Sequence, residues 1–326
     1  GRVYQTVEAG DGGGDQARDF SETNIQVEGV DEADLIKTDG NYIYTIAQGK
    51  LVIAKAYPAS EAEILSEIEF DDFHPSELFI EKDRLLIFGS ANYEEKANDK
   101  LAESGYFPYF IGAGYTSIRL YDISDKNNPK LLKTVDIEGN YLTSRKIGSD
   151  VYFIVNSYIN IYDGKIKYEE IIPLYREKTR DEISELKPIS EYTDIGYTEP
   201  IQPDNFYTIA SMSMDDENKE INKDVIVGSG QNVYMSLDNL YIAETNYPYY
   251  AMFEGSSQVN EEKTKISKFS LSKGDINYIG TNEVKGHILN QFSMDEYDDH
   301  FRIATTSGNL WSAEEEAISK NNIYVL

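Results

Sequence analysis

Apolar residues along this chain gather in short runs, and five of those runs share one signature. They are "NYIYTIA" from Asn41, "RLLIFGS" from Arg84, "VYFIVNS" from Val151, "LYIAETN" from Leu240 and "FRIATTS" from Phe301. Each is almost continuously apolar, as a strand covered on both faces must be. Each also follows a turn pair: Asp39 and Gly40, Lys82 and Asp83, Ser149 and Asp150, Asp238 and Asn239, Asp298 and Asp299. Polar pairs of this kind reverse the chain because their side chains and left-handed backbone tolerate tight turns. Before each pair lies another short strand pattern: "ADLIKT", "SELFIE", "YLTSRKI", "NVYMS" and "HILNQFSM".

Third strands follow as "KLVIAKAY", "TSIRLYDI", "NFYTIASMSM", "KISKFSL" and "NNIYVL"; fourth strands follow the first four of these as "AEILSEIEF", "KLLKTVDI", "KEINKDVIV" and "INYIGTNEV". An irregular β-sandwich shares turn-punctuated strands, but recurrence of one strand order favours an all-β propeller of four-stranded antiparallel blades. Residues 21–326 then hold about five units, the last incomplete, and the chain is expected to cover part of a ring. Residues 1–20 include "AGDGGGDQARD", whose glycine and acid content predicts a flexible leader without packed structure.

Surplus length concentrates between second and third strands, at residues 91–115, 158–204, 247–264 and 307–321. In up-and-down blades these connections share one rim with the links between blades, so one face is elaborated and the other plain. The long connections are rich in aromatics. Tyr106, Tyr109, Tyr158, Tyr162, Tyr249, Tyr250 and Trp311 are the candidate binding residues, with Tyr168 and Tyr175 in the same segments. Amphipathic aromatics suit recognition of protein or glycan. The other reading, in which single rings pack the loops onto the blades, stands beside it.

The segments "NIQVEGVDEADLIKTDGNYIY", "HPSELFIEKDRLLIFGS", "SIRLYDISDKNNPKLLKTVDIEG", "FYTIASMSM", "GSGQNVYMSLDNLYIAET" and "HILNQFSMDEYDDHFRIATTSGNLW" resemble, in order, the secreted β-propeller domain family of archaea and bacteria, distantly related to WD-40 repeats. The resemblance runs from about Ser21 to Leu326. It implies a secreted or cell-surface protein and further propeller blades after the present C-terminus. It carries no catalytic residues across.

Charge narrows the partners. With 58 Asp and Glu against 30 Lys and Arg, the net charge of −28 repels nucleic acid and anionic lipid surfaces. The absence of cysteine excludes thiol nucleophiles, disulfides and sulfur-ligated metals. No apolar run reaches the roughly 18 residues of a membrane-spanning helix. Only His74, His287 and His300 could serve as imidazole bases, and no nucleophile elbow, zinc-protease or phosphate-loop motif accompanies them. Non-enzymatic recognition at the cell envelope is the expectation. A polysaccharide hydrolase using paired carboxylates is one alternative, and a structural component of an envelope or filament assembly is another. No cofactor is called for except calcium. Asp31, Glu32 and Asp34 form an acidic run before the first strand, and it reads either as a small calcium site or as acids capping the blade; Asp39 belongs to the turn beyond it.

Overall fold

The computed structural model describes residues 25–91, 114–158, 171–180, 184–198, 205–246, 262–308 and 319–326. Among them the regular structure is β-sheet with a few single 3-10 turns. The strands form five sheets in chain order. Blade 1 holds Ile36–Thr38, Tyr42–Ala47, Lys50–Lys55 and Glu63–Ile68. Blade 2 holds Phe73–Glu81, Arg84–Ala91, Tyr115–Asp122 and Lys130–Glu138. Blade 3 holds Asn140–Ile147, Asp150–Tyr158, Asn205–Ser213 and Asn222–Val227. Blade 4 holds Asn232–Met235, Asn239–Asn246, Lys263–Ser272 and Asp275–Lys285, and blade 5 holds Met294–Tyr297, His300–Ser307 and Lys320–Val325.

All five apolar runs are therefore second strands of successive antiparallel blades. The tight turns work as expected: Asp298 and Asp299 sit at φ 51° and 62°, the paired left-handed conformation of a two-residue hairpin. One boundary differs. The first strand of blade 5 begins at Met294 rather than at His287, because Asn290 accepts a side-chain hydrogen bond from Phe292 N (3.0 Å) and caps a 3-10 turn at Gln291–Ser293.

The blades pack face to face, each pair sharing one apolar layer. Tyr44, Leu51 and Ile53 of blade 1 meet Leu78, Leu85 and Ile87 of blade 2. Phe88 of blade 2 meets Phe153 of blade 3 edge-on at 5.5 Å and stacks on Tyr141 at 4.8 Å. Tyr152 and Ile154 of blade 3 join Leu240 and Phe269 of blade 4, and Tyr241 stacks on Phe301 of blade 5 at 4.0 Å. Burial on both faces is why these strands read as continuous apolar runs.

Two additions enlarge the blades. Part of the long connection within blade 3 returns as Leu174–Thr179, which pairs with the outer strand of blade 2; Lys187–Pro188 pairs with it in turn, and Gly196–Tyr197 runs parallel to the outer strand of blade 3. This segment straps two blades together at their outer edges and covers edges that would otherwise be open for pairing. At the other edge, Asp31–Glu32 pairs antiparallel with Lys146 and Arg145 of the first strand of blade 3.

Candidate functional site

Two features identified in the sequence can be placed: the acidic run near the start, and the rim from which the long connections leave.

The acidic run lies against the inner edges of the blades. Gln26 Nε2 donates to Gln291 O (3.2 Å) and Met294 O (3.1 Å) of blade 5, Val30 is buried among residues of blades 3 and 4, and the Asp34 backbone exchanges hydrogen bonds with Leu78 of blade 2. Residues 26–34 thus touch four blades before the chain enters the first. The carboxylates face cations. Lys37 Nζ donates to Asp31 Oδ1 (2.7 Å) and to Glu32 O (2.6 Å), Lys146 Nζ lies 3.9 Å from Asp31 Oδ2 and 2.9 Å from Glu81 Oε2, and Arg145 lies 3.4 Å from Glu32 Oε1. Asp34 Oδ1 accepts from Leu35 N at 2.7 Å. The lysines and the arginine are buried, so this is an internal ion network whose members depend on one another. Among the described residues no group of three or more histidine, aspartate or glutamate side chains is disposed to hold a metal ion. Asp39, by contrast, takes hydrogen bonds from Asn41 N (3.0 Å), Tyr42 N (2.8 Å) and Tyr44 OH (2.8 Å) in its turn.

The second strands of blades 2 to 5 end at Ala91, Tyr158, Asn246 and Ser307, and the long connections leave from these ends, all on one rim. Tyr158, at the edge of this rim, is 65 % exposed. Tyr106, Tyr109, Tyr162, Tyr249, Tyr250 and Trp311 lie outside the described residues, as do Tyr168 and the leader at 1–20. Tyr175 departs from the reading that groups it with the exposed aromatics. It is 6 % exposed, carried on the strand Leu174–Thr179 and packed into the core shared by blades 2 and 3, so here the ring holds the insertion down.

Among the described residues the titratable groups do not converge. Burial pushes the carboxyls of Glu138, Asp150 and Asp224 up from their ordinary values. Glu138 ends the fourth strand of blade 2 beside the loop-bearing rim, where its carboxylate accepts from Leu174 N (2.9 Å). Asp150 stands at the opposite rim and Asp224 in mid-strand. His287 pairs with Glu262 (2.9 Å), His300 bonds its neighbour Asp298 O, and His74 is exposed on the first strand of blade 2.

Comparison with known proteins agrees with this architecture. The model of the β-propeller domain family matches residues 20–326. The chain belongs to that family. Among its relatives is an uncharacterized protein of Methanocaldococcus jannaschii, 24 % identical over 363 residues that cover 94 % of this chain and 52 % of that protein. Another, from Archaeoglobus fulgidus and also uncharacterized, is 22 % identical over 389 residues, covering 94 % of this chain and 54 % of its own. The chain spans about half the length of these curated relatives.

Proposed function

We propose that this propeller is a non-enzymatic recognition scaffold at the cell surface or outside the cell, which presents its loop-bearing rim to a protein or glycan of the envelope. The observation that carries this reading is the one-sided placement of the long connections. All leave the same ends of the second strands, beside the exposed ring of Tyr158, while the connections of the opposite rim are short. Loops held on a packed scaffold are where binding residues concentrate. Recognition through such a surface rests on a few aromatic anchors, each worth about 2 kcal/mol or more when truncated.

The test is retention of envelope components by the immobilised protein. The combined variant Tyr109→Ala, Tyr158→Ala and Tyr249→Ala should lose retention, while Lys82→Ala in a hairpin of the opposite rim should keep it. Equal retention by the triple variant and the wild type, both folded by circular dichroism, refutes the assignment.

A further inference from the structure

A cleft of about 620 Å³ lies between the outer edges of blades 3 and 4, within the size range of small-ligand sites. Tyr197 and Thr198 of the inserted segment line one side, and Tyr278, Thr281, Asn282 and Glu283 of the strand Asp275–Lys285 line the other. Both walls lie at the outer margin of the loop-bearing rim: Tyr197 pairs with Val227, level with Phe206 and Ser157, and Glu283 pairs with Lys265 near the start of its strand.

Both tyrosines show their rings to solvent, Tyr197 at 62 % and Tyr278 at 51 % exposure. Tyr278 is nevertheless fixed. Its ring rests edge-on against the buried Phe269, with centroids 5.6 Å apart, and its hydroxyl hydrogen-bonds Thr281 Oγ1 (2.8 Å), which in turn lies 3.0 Å from Ser267 Oγ. The register shifts between Lys268 and Phe269, which pair with Gly280 and Tyr278, so Ile279 is the extra residue of a β-bulge. Bulges of this kind re-aim neighbouring side chains, and a ring held before the ligand arrives loses little freedom on binding.

The polar groups around the rings are incompletely used. Thr198 is 6 % exposed, and its Oγ1 is buried without a hydrogen-bond partner among the described residues. A buried hydroxyl in that state is unfavourable and is relieved by any ligand group that reaches it. Asn282 Oδ1 accepts from Glu283 N (2.8 Å), which leaves the amide N–H groups for a ligand, and Glu283 Oε2 faces Lys263 (3.2 Å) while Oε1 remains an acceptor. Two aromatic faces bordered by a hydroxyl, amide donors and one carboxylate oxygen match a pyranose ring. The sugar's C–H face covers the tyrosines, and its hydroxyls satisfy the polar rim. Among the described residues Glu283 is the only charged side chain lining the cleft, and the whole chain carries −28, so an anionic sugar is disfavoured.

We infer that this cleft binds a neutral hexopyranose chain. The test is calorimetric titration of the whole protein with maltohexaose, cellohexaose, mannohexaose and chitohexaose at millimolar concentration. At least one should bind. Tyr197→Ala and Tyr278→Ala should each weaken it about tenfold or more, as aromatic anchors do. Thr198→Val should weaken binding without lowering the melting temperature, since the hydroxyl it removes has no partner among the described residues. Tyr158→Ala, three strands inward of Tyr197 on the same sheet, should leave sugar binding unchanged, which separates this outer cleft from the surface above the inner strands. Binding of none of the four sugars overturns the inference, and so does affinity that survives both tyrosine substitutions in folded protein.

Discussion

The two rims of this propeller are built differently. On the hairpin rim, polar groups tie each blade to the next in chain order. Ser66 Oγ of blade 1 donates to Lys126 O of blade 2 (2.9 Å), and Lys133 Nζ of blade 2 donates to Lys219 O of blade 3 (2.6 Å). Gly274 N of blade 4 donates to Tyr152 OH of blade 3 (3.0 Å), and Glu296 of blade 5 accepts from Asn239 Nδ2 (2.9 Å) and Tyr241 OH (2.7 Å) of blade 4. The other rim carries the long connections above bonds such as Asn156 Nδ2 to Gly230 O (2.8 Å). Cohesion between blades runs along both rims, since on the loop side Ser157 Oγ donates to Glu138 O (2.6 Å) and Thr305 Oγ1 to Lys285 O (2.6 Å); the rims differ in the connections they carry, short on one and long on the other. Substitutions of graded severity sharpen that division.

Lys133→Ala should cost most. Lys133 Nζ lies 2.6 Å from Glu177 Oε2 of the strap between blades 2 and 3, and both groups are withdrawn from solvent. Removing one partner of a buried pair strands the other, at about 3–5 kcal/mol, read by chemical denaturation. Glu296→Gln should cost about 1–3 kcal/mol at neutral pH, because the hydrogen bonds to a charged acceptor weaken. Burial alone would raise this carboxyl, but hydrogen bonds from Ser236, Tyr241 and Asn239 outweigh it and hold its pKa below the ordinary value. A depressed carboxylate stabilises the fold above its unfolded pKa of about 4.5, and that contribution disappears as the pH falls through the lower folded value. The gap between wild type and Glu296→Gln should therefore narrow on acidification.

Glu138→Gln, beside the loop-bearing rim, has the opposite sign. Burial raises this carboxyl, so its charged form is a liability above the folded pKa and carries none below the unfolded one. The variant should melt slightly higher than wild type at neutral pH, with the difference vanishing in acid; a lower melting point there would show that the bond to Leu174 N outweighs the buried charge. Smallest of all, Tyr158→Ala should change stability by less than about 0.5 kcal/mol, as an exposed surface residue does.

The parts of this molecule that could be read from the chain are those set by burial. "RLLIFGS" and "VYFIVNS" are apolar because a neighbouring blade covers each face, and position within the blade follows from that pattern with the turn before it. The strap strand "LYREKT" carried no such mark. Its Arg176 is buried because its Nε bonds Asp136 Oδ2 at 2.9 Å, a pairing between positions 40 residues apart that alternation does not reveal. Asp31 and Glu32 likewise read as an acidic run, since Arg145 and Lys146, which pair with them across the inner edge, lie in another blade. The cleft between blades 3 and 4 was hidden for the same reason: Thr198 and Tyr278 meet only after two blades have packed. A signal did exist in "INYIGTNEV", where an exposed tyrosine and a glycine interrupt a strand.

The division between the rims is tested most directly by tyrosine footprinting, because the structure supplies a matched pair. Tyr158 stands on the loop-bearing rim at 65 % exposure and Tyr297 beside a hairpin of the opposite rim at 68 %, so both should iodinate readily in the free protein. With envelope extract bound, Tyr158 should be protected while Tyr297 is modified as before; protection of Tyr297 with Tyr158 still reactive would overturn the assignment of recognition to the loop-bearing rim.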